Sequence, residues 1–248
     1  MKKLAPLVFI ALIAVLAFSC TKEESVNNRP GSKHKLKSYS ISVIEPGGVP
    51  YTESFDLFYD DQDRIVQAKA TNLPNSGFEY TYFPDHYIME ITGNGQVLVH
   101  GTFYLNNNMM VDSLFQYNNE QDTTVTKYVY NNNKQLIQQR FYDYSTFFGA
   151  SLTSTLNYQY DANGLLTTET DGNLEITYVY DKVIHNTVTT GAPYMPMPKQ
   201  LPTQAIYKMG LDTETIDYTY NFDSQNRLIS EVAVASGGGM STTTYTYF

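Results

Sequence analysis

The cluster Asp60-Asp61-Gln62-Asp63 offers carboxylates that could hold calcium. A calcium loop needs several more oxygen ligands at fixed offsets, closed by a distant acid, and that pattern does not continue here. The same aspartates occupy a turn slot, where Asp is favoured for local bonds to the backbone. The histidines, His34, His86, His100 and His185, are scattered, and none has a second ligand at a zinc spacing. The glycines of Ser236 to Met240 lie between two strand-like segments, so they read as a hairpin tip rather than a phosphate cradle. No Gly-x-Ser-x-Gly elbow occurs. A carboxylate pair acting on polysaccharide stays open, because such pairs can be far apart in sequence. The expectation is a chain without cofactor, metal or catalytic residues.

Cys20 is the one cysteine in 248 residues. An exported chain of this composition has no disulfide framework, and a cysteine metal cluster is excluded. Before Cys20 stand Lys2 and Lys3, an apolar run from Leu4 to Phe18 interrupted by Pro6, and Ser19. That is the build of a secretory signal. A cysteine directly after a small residue points to a lipoprotein signal over residues 1–19, with Cys20 becoming the acylated N-terminus. Leu16 stands one place earlier than the usual leucine of such a signal, with Ala17 in its position. Acyl chains would then hold the protein to membrane lipid through their methylenes.

Residues 20–35 are polar and aperiodic, and read as a flexible tether. Lys22-Glu23-Glu24 looks like an acidic tag for the outer face of an outer membrane. Removing residues 1–19 takes two of the 16 basic residues and none of the 25 acids, leaving 14 against 25 and a net charge of −11. So acidic a body argues against nucleic acid as a partner, since phosphates need clustered Lys and Arg.

Residues 36–248 read as a single all-β repeat domain. Alternation rich in Tyr, Phe, Val and Thr is broken by Asn, Asp and Gly, with no long amphipathic helical pattern. Copies align on Tyr59, Tyr82, Leu105, Tyr130, Tyr160, Tyr180, Tyr220 and Tyr247. Five copies place an aliphatic six positions later, at Ile65, Ile88, Val111, Leu136 and Leu166; Tyr220 departs by two and reaches Leu228. The clearest copy is Tyr158-Gln-Tyr-Asp-Ala-Asn-Gly-Leu-Leu166. If Ala162 to Gly164 form a three-residue loop with Gly164 left-handed, Tyr160 stands opposite Leu166, and Tyr158 shares its face. The equivalents of Gly164 are Asp63, His86, Met109 and Lys134. Met and Lys resist positive φ, so their turns are expected to be of another type.

Tyr-x-Tyr-Asp-x-x-Gly-x-Leu resembles the tyrosine-aspartate repeat of RHS-type proteins. A lipoprotein leader followed by degenerate copies is similar to Bacteroidetes lipoproteins of porin-like fold. The resemblance covers about Leu36 to Phe248. It implies an antiparallel up-and-down meander of tyrosine-rich hairpins, roughly 14–16 strands curled into a barrel or half-barrel. A barrel inserted in the membrane is not expected. Gln159, Thr81, Thr219 and Thr246 stand between the tyrosines, where a lipid belt would need apolar side chains.

One segment escapes the rhythm: Gly191 to Pro202, with four prolines. Prolines forbid a central strand. The segment either caps an open barrel end or forms a contact through Tyr194, Met195 and Met197, the candidate ligand-binding residues. The sequence therefore points to a surface-facing, lipid-anchored outer-membrane protein that binds a glycan or an envelope protein without catalysis. The alternatives are a purely structural envelope component and a polysaccharide-acting enzyme.

Overall fold

The structure, a computed structural model, describes residues 35–118, 122–145, 149–188, 194–195 and 198–248. The chain forms β1 Leu36–Ile44, β2 Tyr51–Tyr59, β3 Ile65–Ala70, β4 Gly77–Tyr82, β5 His86–Gly93, β6 Gln96–Leu105, β7 Val111–Asn118 and β8 Asp122–Tyr130. It continues with β9 Leu136–Ser145, β10 Gly149–Tyr160, β11 Leu166–Thr170, β12 Leu174–Val179, β13 Gln204–Met209, β14 Asp212–Phe222, β15 Leu228–Ala235 and β16 Met240–Tyr247. Each strand pairs antiparallel with its sequence neighbours, and β1 pairs with β16, so the sheet is a closed barrel. The expected meander is present, and its closure settles barrel against half-barrel.

Every second turn lies at one end of the barrel, together with Lys35 and Phe248; this is the repeat end. Five of the turns here share one construction. In the clearest copy Tyr160 pairs with Leu166 as expected, and the Asp161 amide donates to the Leu165 carbonyl at 2.9 Å. Asp161 Oδ1 accepts the amides of Asn163 and Leu165 at 2.9 and 2.8 Å. Asp60, Asn106, Asn131 and Asp223 do the same for the residues two and four ahead. Such side-chain caps explain why Asp and Asn recur at the turn.

Three sequence-based expectations about these turns fail. Met109 and Lys134 do not choose another loop; they adopt φ of 58° and 62°, beside 82° at Gly164. The doubly accepting Asn106 and Asn131 hold the loop shape against the left-handed cost, which is about 1–2 kcal/mol for a residue with a Cβ. The copy at Tyr82 is the one that differs. Its turn is shorter, Tyr82 pairs with Tyr87, and Ile88 pairs instead with the outward-facing Thr81. Finally, Phe222, not Tyr220, pairs with Leu228. That copy is an ordinary one, shifted by two, with Asn226 in the left-handed position at φ 60°.

The tyrosine closing each hairpin has a second partner. Tyr59, Tyr82, Tyr130, Tyr160, Tyr180 and Tyr247 donate their hydroxyls to the carbonyls of Leu36, Ile65, Val111, Leu136, Leu166 and Leu228, at 2.6–2.9 Å. Each accepting residue begins the strand immediately before, which belongs to the preceding hairpin. The bond therefore ties these six hairpins to the one before each, and the ring lies on apolar neighbours inside the wall.

Inside and outside are sharply different. The inner face at the repeat end is packed with Phe55, Leu57, Tyr87, Phe103, Val111, Leu136, Leu228 and Tyr245. Toward the other end the inward side chains, such as Ile41, Glu53, Ile91, Gln116 and Thr124, are only half-buried, consistent with the space that 16 strands enclose. The outer face of β1, β2 and β14 to β16 carries Ser, Thr, Asn and Asp. There Thr52 bonds Ser42 at 3.0 Å, Ser54 bonds Ser40 at 2.8 Å, and Asn221 bonds Ser230 at 2.8 Å. An arc on β7 to β10 is more apolar, with Phe115, Val125, Tyr142 and Leu152 paired in one row.

Candidate ligand chamber

The connection from β12 to β13 enters the repeat end and plugs it. Val188, Met195 and Leu201 are buried, and Ile184 and Tyr194 are half-buried against the same apolar clusters. Tyr194 adopts φ 65°, and its carbonyl accepts the Val111 amide at 3.2 Å. Its ring lies 6.0 Å from that of Tyr87. Met195 is 3% exposed, with its sulfur 4.0 Å from the Tyr130 hydroxyl. The structure thus brings Tyr194 and Met195 together inside the barrel end. Met197 and Cys20 lie outside the described residues.

Between this plug and the wall of β8 to β12 lies a cavity of about 340 Å³, within the size range of small-molecule sites. Leu136, Leu166 and Met195 give it an apolar base, and the rings of Tyr158, Tyr160 and Tyr180 form its aromatic side. Polar groups come from the turns and the plug, including Lys134, Asn163 and Lys199, and from Glu169 on β11.

Glu169 is placed by the repeat itself. One position per hairpin lies directly across from the first aromatic of the motif. Ala68 faces Leu57, Leu114 faces Phe103, Gln139 faces Tyr128, Glu169 faces Tyr158, Ala205 faces Tyr178 and Glu231 faces Tyr220. These residues form a ring inside the barrel, and three of them are polar. Burial pushes the Glu169 carboxyl up to about 7, although the Tyr178 hydroxyl, donating to it at 2.9 Å, works in the opposite direction. Burial alone carries Glu231 to about 7. Desolvation disfavours the charged form, and inward positions on the described strands supply no lysine or arginine to offset it. Sequence reasoning missed both glutamates. The available signal was an acid three residues beyond the repeat leucine, where other copies place Ala, Leu or Gln.

Tyr158 is 7% exposed, and its hydroxyl has no hydrogen-bond partner among the described residues; the Gln139 amide nitrogen on β9 is likewise unpartnered among them. A buried hydroxyl without a partner is destabilising by about 1–3 kcal/mol. Tyr158→Phe is therefore expected to raise the stability of the unliganded protein by about 1 kcal/mol, read as a higher urea midpoint with unchanged slope. A lower midpoint would show that the hydroxyl is already satisfied.

The Asp60 cluster is structural. Asp60 caps its turn and pairs with Arg64 at 2.7 Å, and Asp63 contacts Lys35. His86 and His100 bond Asp85 and Glu90 on the outer face.

Known structures share this arrangement of strands. The fold is that of porin-like barrels. The chain is similar to a porin-like protein from Bacteroides uniformis ATCC 8492, with a TM-score of 0.64 and 16% identity over 86% of this chain and 98% of that one. A porin-like protein from Bacteroides vulgatus ATCC 8482 gives 0.58 and 14%, with the same coverage. No protein-family model and no curated protein sequence matches. At these identities the likeness concerns the fold, and the contents of the barrel end are argued from this chain's own residues.

Proposed function

We propose that this chain is a lipoprotein of the outer membrane, held at the cell surface by acylated Cys20. In this reading its barrel stands in water and binds a glycan or envelope-protein ligand without catalysis. The observation that carries the reading is the direction of the alternation. Membrane-spanning barrels turn apolar residues outward and polar ones inward. Here serines and threonines hydrogen-bond to one another on the outside of β1 and β2, and the buried aromatic rings face in, with an apolar outer arc confined to β7 to β10. Outside that arc such a wall gains little from hydrocarbon, so attachment falls to a separate anchor, and the signal before Cys20 would supply one.

The cavity beside the plug supports binding, with ring faces for stacking and amide groups around them. Catalysis by an acid pair is disfavoured by position: Glu169 lines the cavity, whereas Glu231 on β15 sits among Tyr218, Tyr220 and Tyr245. The ligand-free structural alternative draws on the seven tyrosine hydroxyls that are spent on backbone carbonyls of the scaffold.

Cys20→Ser is expected to move the protein from the membrane pellet to the soluble fraction and to abolish palmitate labelling. Continued sedimentation with membranes, with label retained, would remove the anchor. A glycan array and a pull-down from envelope extract that both return nothing would favour the scaffold alternative.

A further inference from the structure

The residue just before each repeat aliphatic has a recurring task. Lys35 precedes Leu36, and its ammonium lies 4.3 Å from the centre of the Tyr59 ring. Arg64 precedes Ile65 and covers Tyr82 at 4.2 Å; Arg227 precedes Leu228 and covers Tyr247 at 4.6 Å. In each case the covered tyrosine closes the hairpin that follows, so the fold presents that ring to a cation. The same position holds Gln135 before Leu136 and Leu165 before Leu166. Among the described residues, no cationic side chain covers the tyrosines that follow, Tyr160 and Tyr180. Those two rings line the cavity.

The cavity also contains the groups a bound cation would use. Glu169 lies on its wall without a basic partner among the described residues, accepting only the Tyr178 hydroxyl. Tyr158, whose buried hydroxyl has no hydrogen-bond partner among the described residues, pairs across the strands with Glu169 and lines the same space. Aromatic faces joined to a carboxylate are how proteins hold ammonium groups.

We infer that the chamber takes the ammonium group of a small organic cation, seated over Tyr160 and Tyr180 with Glu169 as counter-charge. The inference rests on the binding-module reading and narrows its ligand to compounds carrying such a group. Lys134 of the β8–β9 turn and Lys199 of the plug also line the chamber, Lys199 being engaged with a partner of its own. Lys134 opposes a bare cation and favours one carrying an anionic group beside its nitrogen. The other titratable groups around Glu169 are Tyr158, Tyr160, Tyr178, Tyr180 and Tyr207, all held neutral by burial. Binding therefore requires Glu169 to ionise, and affinity falls as pH drops below about 7.

Isothermal titration of the full-length protein in detergent at pH 8 tests this with choline, glycine betaine and methyl β-glucopyranoside. The expected result is binding of both ammonium compounds, tighter for betaine, with at least tenfold loss at pH 5.5. Glu169→Gln should lower both affinities at least tenfold. Leu165→Arg, which supplies the missing side-chain cation in a position where two other turns already carry arginine, should abolish binding while the melting temperature is kept. Equal affinity in wild type and Glu169→Gln would overturn the inference. Methyl glucoside binding without either ammonium compound would overturn it while leaving the binding-module reading intact, and a chamber that binds none of the three overturns it as well.

Discussion

Gly77→Ala is expected to cost more than about 3 kcal/mol, a large part of the stability of an ordinary domain. Gly77 opens β4 with φ 153°, and a Cβ there would stand 2.2 Å from the Ala68 carbonyl oxygen and 3.1 Å from the Lys69 Cα. Both obstacles are backbone of β3, fixed on their other side by pairing with Leu57 and Asp56. No rotamer change relieves the overlap. The two strands must part, and the bond from the Ala70 amide to the Ser76 carbonyl at 2.9 Å goes with them. Gly172→Ala is the matched control. Its φ of 93° is also unfavourable for a side chain, but nothing lies within 4 Å of the new methyl group. That variant should lose only about 1 kcal/mol. Urea denaturation of the pair decides the matter, and equal losses would show that β3 and β4 are not held as closely as described.

Replacing Glu169 and Glu231 together by glutamine should flatten the dependence of stability on pH. Both carboxyls are held near 7 in the folded barrel, against an ordinary value of 4.5. The folded state therefore holds protons that the unfolded chain releases between about 4.5 and 7. Stability falls as pH rises through that window and levels off above it. A fully dry site would lose about 1.4 kcal/mol per unit of difference. Both side chains keep part of their surface open to the barrel interior, which reduces the loss to about 1–2 kcal/mol each. Wild type should accordingly melt several degrees higher at pH 5 than at pH 8 from this source, and the double variant should gain most at pH 8. Were the variant's pH profile parallel to wild type, the two carboxyls would titrate as they do in water. Glu169→Gln alone should remove about half of the effect, because the two groups sit among separate sets of tyrosines.

The repeat was legible because its causes are local. Tyr160 opposite Leu166 follows from five intervening residues, an Asp that caps its own turn and a glycine that turns it. The mistaken loops at Met109 and Lys134 have the opposite origin. A side chain's dislike of positive φ is also local, but it is outweighed by two hydrogen bonds to Asn106 or Asn131 and by the sheet on either side. The shift by two at Tyr220 arose from anchoring on a tyrosine where the fold uses Phe222. Ring shape sets that position, and the hydroxyl is optional.

The amino-acid order by itself determined strands, turns, inward and outward faces and the expectation of an acylated cysteine, because alternation and short motifs act over a few residues. Tertiary structure decided the rest. Closure joins Leu36 to Tyr247 across the whole chain, and it turns one side of every strand into a shared interior. Only there does a proline-rich connection become a plug, does Glu169 lose its water, and do two tyrosine rings face a cavity rather than an arginine. Distance along the chain carries no information about such meetings, since desolvation depends on which surfaces finally enclose a group.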